Sequence, residues 1–103
     1  ITNNSNICTD WPNLSGAMSI NEGAKVNLIN STIGSNSSMN GGAVALSYSS
    51  ELNIYNSILY GDVPREIVLD GSYNEPNTLT VHNSLIQGGY DNILSLSANY
   101  ITW

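Results

Sequence analysis

Val26-Asn27-Leu28-Ile29-Asn30-Ser31-Thr32-Ile33 returns twice along the chain, as Leu52-Asn53-Ile54-Tyr55-Asn56-Ser57-Ile58-Leu59 and as Leu79-Thr80-Val81-His82-Asn83-Ser84-Leu85-Ile86. The asparagines that precede the serines, Asn30, Asn56 and Asn83, stand 26 and 27 residues apart. A degraded copy, Asn4-Ser5-Asn6-Ile7, precedes Asn30-Ser31-Thr32-Ile33 by another 26 residues. Self-similarity at this period marks a repeat array, in which each copy is a supersecondary unit that buries its apolar face only by stacking on its neighbours.

Within each copy the apolar residues alternate with polar ones: Val26 and Leu28, Leu52 and Ile54, Leu79 and Val81. A period of two is that of a β-strand with one buried face. The asparagine that follows is the non-glycine residue best suited to a left-handed backbone step, so it can turn the chain sharply. A second short strand follows, with Ile33, Leu59 and Ile86 inward. Upstream lies a further alternating run in each copy: Met18-Ser19-Ile20, Val44-Ala45-Leu46, Ile67-Val68-Leu69 and Leu94-Ser95-Leu96. Three short strands per repeat describe a parallel β-helix whose strands pair with their counterparts one coil away, at about 4.8 Å. The expected inward columns are Leu28/Ile54/Val81, Ile33/Leu59/Ile86 and Ile20/Leu46/Leu69/Leu96. Ser31, Ser57 and Ser84 are expected to form a small polar stack, and Asn4, Asn30, Asn56 and Asn83 an amide ladder between coils. The stretch between Leu69 and Leu79, with Asp70-Gly71-Ser72-Tyr73-Asn74-Glu75-Pro76-Asn77, reads as a loop bulging from an otherwise regular coil.

These repeats resemble the right-handed parallel β-helix of the pectate-lyase-like superfamily, in which a stacked asparagine commonly occupies the tight turn between the second and third sheets. The stretches Asn56-Ser57-Ile58-Leu59-Tyr60-Gly61, Ile67-Val68-Leu69-Asp70-Gly71 and Ser84-Leu85-Ile86-Gln87-Gly88-Gly89 are similar to repeats of large secreted surface proteins of bacteria. The resemblance implies an all-β, right-handed solenoid of about four coils of 26–27 residues, with residues 1–103 forming one segment of a longer, exported solenoid. Family enzymes work on the outer face of the first sheet, with acidic calcium ligands and an Arg or Lys base, or with clustered aspartates. The outward residues expected there are Ser19, Ala45, Val68 and Ser95, then Asn21, Ser47, Asp70 and Ser97. Asp70 alone among them is ionisable, and a lone carboxylate runs neither elimination nor two-carboxylate glycoside hydrolysis.

Charge narrows the partners. Lys25 and Arg65 stand against eight acidic residues, for a net charge of −6. Phosphate neutralisation needs several cations on one face, which argues against nucleic acid, and the same shortage argues against an anionic membrane surface. No apolar run approaches the ~20 residues of a spanning helix. Cys8 is the single cysteine and His82 the single histidine, so no Cys/His metal cluster is expected. Cys8 reads as a small apolar residue of the first coil.

Several side chains remain as candidates. Asp62, Glu66, Asp70 and Glu75 fall near the third coil and its long loop, where oxygen ligands could gather around Ca²⁺; solvated turn carboxylates are the plainer reading. Arg65 between Pro64 and Glu66 suggests a surface ion pair. Ile29, Tyr55, Ile58, Tyr60 and Leu85 alternate out of phase with the core and should form an exposed apolar contact patch, with His82 a ladder member in register with Ile29 and Tyr55. Gly41-Gly42 and Gly88-Gly89 read as turns. Asn3, Asn13, Asn30 and Asn36 begin Asn-x-Ser/Thr sequons that an Asn/Ser-rich chain generates by chance.

The sequence therefore points to a non-catalytic structural or adhesive β-helix on the outside of a bacterial cell, self-associating or packed on neighbouring coils. The alternatives are a fragment of a polysaccharide lyase or hydrolase with its active coils elsewhere, or a carbohydrate-binding module using Tyr48, Tyr60, Tyr73, Tyr90 and Trp11.

Overall fold

A computed structural model describes residues 1–6 and 15–103. The first coil contributes β1 (Met18–Ile20), β2 (Lys25–Ile29) and β3 (Thr32–Gly34); the second β4 (Val44–Ser47), β5 (Glu51–Tyr55) and β6 (Ile58–Tyr60). The third contributes β7 (Ile67–Asp70), β8 (Thr78–His82) and β9 (Leu85–Ile86). A short 3-10 helix, Gly89–Asn92, leads into β10 (Ile93–Leu96) and β11 (Tyr100–Thr102). Strands join in parallel into three sheets, in the orders β1-β4-β7-β10, β2-β5-β8-β11 and β3-β6-β9. This is an all-β parallel solenoid of about three turns, slightly fewer than the four expected.

Like stacks on like because each coil repeats the same alternation. Leu28 pairs with Ile54 and Ile54 with Val81; Ile33 pairs with Leu59 and Leu59 with Ile86; Ile20 pairs with Leu46 and Leu46 with Leu69. All nine are buried in one continuous core. At roughly 1.5–3 kcal/mol per fully buried aliphatic side chain, these columns are the main force closing each coil.

Two expectations about register are corrected. In β10, Ile93 lies opposite Ile67 and Ser95 opposite Leu69, so the strand is one residue out of the predicted phase. Ile93 takes the inward place (7% exposed), while Leu94 and Leu96 turn outward, Leu96 to 37% exposure. Ser95 lies where the inward column ends, and its hydroxyl accepts a hydrogen bond from Asn99 Nδ2 at 3.0 Å. The N-terminal copy is also displaced. Thr2 pairs with Gly34 and Ser5 with Ser37, which sets Asn4 on Asn36, 32 residues away, rather than on Asn30.

Candidate functional site

Three corners connect the sheets, and each carries its own column of polar side chains. At the second corner, between the second and third sheets, Asn30, Asn56 and Asn83 have φ of 50°, 50° and 46°. The left-handed step expected of them is present, but their exposed side-chain amides make no ladder. The adjoining serines join the coils instead. The N–H of Ser31 donates to Ser57 Oγ at 3.1 Å and that of Ser57 to Ser84 Oγ at 3.0 Å. Each hydroxyl donates back to the carbonyl two residues earlier, on Ile29, Tyr55 and His82. With its backbone held left-handed, asparagine has its side chain outside the turn, and the shorter serine is the one that reaches the next coil.

Amide ladders form at the other two corners. At the first corner Asn77 donates from N and Nδ2 to Asn99 Oδ1 (2.9 and 3.1 Å), and Asn77 Oδ1 accepts from Ser50 N (3.0 Å). Beside it runs a cleft lined by Glu22, Gly23, Tyr48, Ser49 and Glu75, adjoining one lined by Tyr48, Asp70, Ser72 and Glu75. The predicted long loop shapes this cleft. It carries Tyr73 on its exposed tip, then returns Asn77 to full burial.

The third corner, between the third sheet and the first, holds the least expected chemistry. Asn4 donates from N and Nδ2 to Asn36 Oδ1 (2.9 and 3.0 Å), and Asn36 donates in the same way to Asp62 Oδ1 (2.8 and 2.7 Å). Asp62 is 3% exposed and Glu66 fully buried. Asp62 N donates to Glu66 Oε1 at 3.3 Å, whereas Asp62 Oδ2 and Glu66 Oε2 are buried without a partner. Burial first, and the neighbouring Asp62 carboxyl second, push the Glu66 carboxyl up to about 8. Gly42 of the coil before packs flat against this turn; a Cβ there would collide with Val63 N and the Cβ of Asp62.

The four calcium candidates are therefore divided. Asp62 and Glu66 lie inside the third corner, while Asp70 and Glu75 face the cleft at the first. Among the described residues no three acidic, His or Cys side chains gather as a metal site. Arg65 makes no ion pair with Glu66, which is buried; among the described residues the one ion pair joins Lys25 to Glu51 at 2.9 Å. That pair, with a second hydrogen bond from Asn53, holds the half-buried Glu51 carboxyl below its usual range.

On the outer face of the first sheet lie Ser19, Ala45, Val68 and Leu94, with Ser47, Asp70 and Leu96 alongside. Leu94 and Leu96 occupy the places expected for Ser95 and Ser97. Among the described residues Asp70 is the one ionisable group on that face, its carboxyl raised by partial burial. Ile29, Ile58, Tyr60 and Leu85 are exposed on the outside of the second corner and third sheet. Tyr55 is half-buried there and stacks on His82, with ring centroids 5.5 Å apart and planes 5° from parallel. Tyr48, Tyr60, Tyr73 and Tyr90 are exposed on separate elements and share no platform. Asn36 is fully buried with Nδ2 engaged, which leaves no room for a glycan, whereas Asn3 and Asn30 are exposed. Cys8, Trp11 and Asn13 lie outside the described residues.

No family model, curated protein or solved structure matches the chain. Among the described residues no helix is long and apolar enough to cross a membrane.

Proposed function

We propose that the chain is a non-catalytic structural or adhesive segment of a pectate-lyase-like solenoid in an exported bacterial surface protein or extracellular fibre, associating with copies of itself or with neighbouring coils. The observation that carries this reading is the exposed apolar ridge of Ile29, Ile58, Tyr60 and Leu85 around the stacked Tyr55 and His82. The ridge recurs coil after coil because the register repeats: Ile29 lies beside Tyr55 and Tyr55 beside His82, then Thr32 beside Ile58 and Ile58 beside Leu85. A periodic apolar strip presents the same surface to any partner built on the same spacing, and strips of this kind mark contact surfaces. The sparse chemistry of the first sheet's outer face supports a non-catalytic role.

Light scattering of the Tyr55→Ser/Ile58→Ser double variant tests this. Weaker self-association at an unchanged unfolding midpoint is expected, and association equal to the parent's overturns the reading. A second reading, carbohydrate binding, is favoured by the first-corner cleft, where the exposed Tyr48 ring stands beside the carboxylates of Asp70 and Glu75. An aromatic face flanked by acceptors suits a neutral sugar. Saturable binding of a neutral oligosaccharide that Tyr48→Ala abolishes would put this reading first.

A further inference from the structure

We infer that Asp62 and Glu66 share a single proton inside the solenoid, and that this proton is a pH-sensitive latch holding the third corner closed. The two carboxyls have four oxygens. Asp62 Oδ1 accepts two N–H groups from Asn36, and Glu66 Oε1 accepts the N–H of Asp62. The remaining two, Asp62 Oδ2 and Glu66 Oε2, are buried without a hydrogen-bond partner. Buried acceptors without partners are costly, and two adjacent buried carboxylates do not both ionise. One proton on Glu66, donated to Asp62, satisfies both oxygens and leaves a single negative charge. That charge belongs on Asp62, where Asn36 already supplies two donors.

No described cation takes the proton's place. Lys25 is paired with Glu51 in the second sheet, and Arg65, one residue before Glu66, makes no ion pair. The coil before presents Asn36, Gly42, Ala43 and Val44 to the pair, none of them titratable. In the coil after, Gln87 binds Gly61, and the register of Ile93 on Ile67 sets Asn92 beside Glu66; the charged group there is Asp91, exposed on the 3-10 helix. Tyr60 and Tyr90 are also exposed.

The pair is tied into the backbone of two coils. Asp62 ends the ladder that runs through Asn4 and Asn36, and the Glu66 carbonyl accepts the N–H groups of Ala43 and Val44 at 3.2 and 3.0 Å. Loss of the shared proton sets two like charges where β6 turns into β7, and hydrating them means opening that turn. Because the Glu66 carboxyl is raised above its ordinary value of 4.5, its contribution to stability is complete below that value. The contribution falls as pH rises, and is gone above about 8. Asp70 is raised too and adds a slope of the same sign, but one common to the parent and a Glu66 variant.

The test is the thermal unfolding midpoint of the parent and of Glu66→Gln from about pH 5 to about pH 9. The parent midpoint is expected to fall steadily over this range. Glu66→Gln, whose amide donates to Asp62 without titrating, should lose most of that fall and be the more stable protein at the alkaline end. A variant that keeps the parent's slope overturns the shared proton. So does millimolar calcium that raises the neutral-pH midpoint of the parent but not of Glu66→Gln, since the pair would then hold a cation in place of the proton. Should Glu66→Gln fail to fold, infrared spectra of the parent decide: a protonated-carboxyl band at neutral pH that bleaches in alkali supports the inference, and its absence at neutral pH refutes it.

Discussion

Ser57 is a small residue with a large share of the coil-to-coil bonding. Its hydroxyl accepts the N–H of Ser31 and donates to the Tyr55 carbonyl, and the side chain is buried. Removing the hydroxyl orphans a backbone N–H inside a turn, so Ser57→Ala should lower stability by about 1–3 kcal/mol in a urea titration. Asn56 next to it supplies only a left-handed φ, which glycine adopts without strain. Asn56→Gly should therefore stay within about 1 kcal/mol of the parent, the residual cost being unfolded-chain entropy. A larger loss for Asn56→Gly than for Ser57→Ala would restore the asparagine column as the bonding element. The same comparison explains why the amide ladders were hard to place from sequence. Asn and Ser recur in every copy, and the amides that stack, Asn36 on Asp62 and Asn77 on Asn99, carry no mark that separates them from those that only turn the chain.

Strands differ in how firmly sequence fixes their phase. In β5 the alternation Leu52, Asn53, Ile54 is held by neighbours on both sides, and the predicted inward residues are the observed ones. In β10 the run Ile93-Leu94-Ser95-Leu96 offers two phases: one points both leucines inward, the other points Ile93 and Ser95. With β7 as its single partner among the described strands, β10 has one neighbour to choose for it. Seating Ile93 on Ile67 continues the buried column Val44, Ile67, Ile93. Truncation separates the two phases. Ile93→Ala should cost about 2 kcal/mol or somewhat more, the low end for a core truncation, because the site lies in the last coil. Leu96→Ala should stay within about 0.5 kcal/mol. Reversed magnitudes in denaturant titrations would return the strand to the leucine-inward phase.

Across the whole molecule, acidic groups are distributed by corner rather than gathered. The net charge of −6 invites a cation, yet the four carboxylates nearest in sequence divide into a buried pair at the third corner and a solvent-facing pair at the first. Calcium needs six or more oxygens converging on one point. Calorimetric titration at neutral pH should accordingly show no saturable heat up to millimolar calcium, and a saturable site would mean that carboxyl oxygens do converge on a cation. The amino-acid sequence by itself determined the repeat, the three strands per coil, the turn at Asn30, Asn56 and Asn83, and the aliphatic columns of the first three coils. Those features are local, and each copy states them again. Tertiary structure decided the matters that depend on which coil lies above which: that Asn4 stacks on Asn36 and not on Asn30, that serine hydroxyls rather than asparagine amides bridge the second corner, and that Asp62 and Glu66 are enclosed together. Burial of a turn carboxylate is a property of the coils on either side of it. The exposed-looking stretch Gly61-Asp62-Val63-Pro64-Arg65-Glu66 therefore gave no local sign of the two carboxyl groups it carries inside.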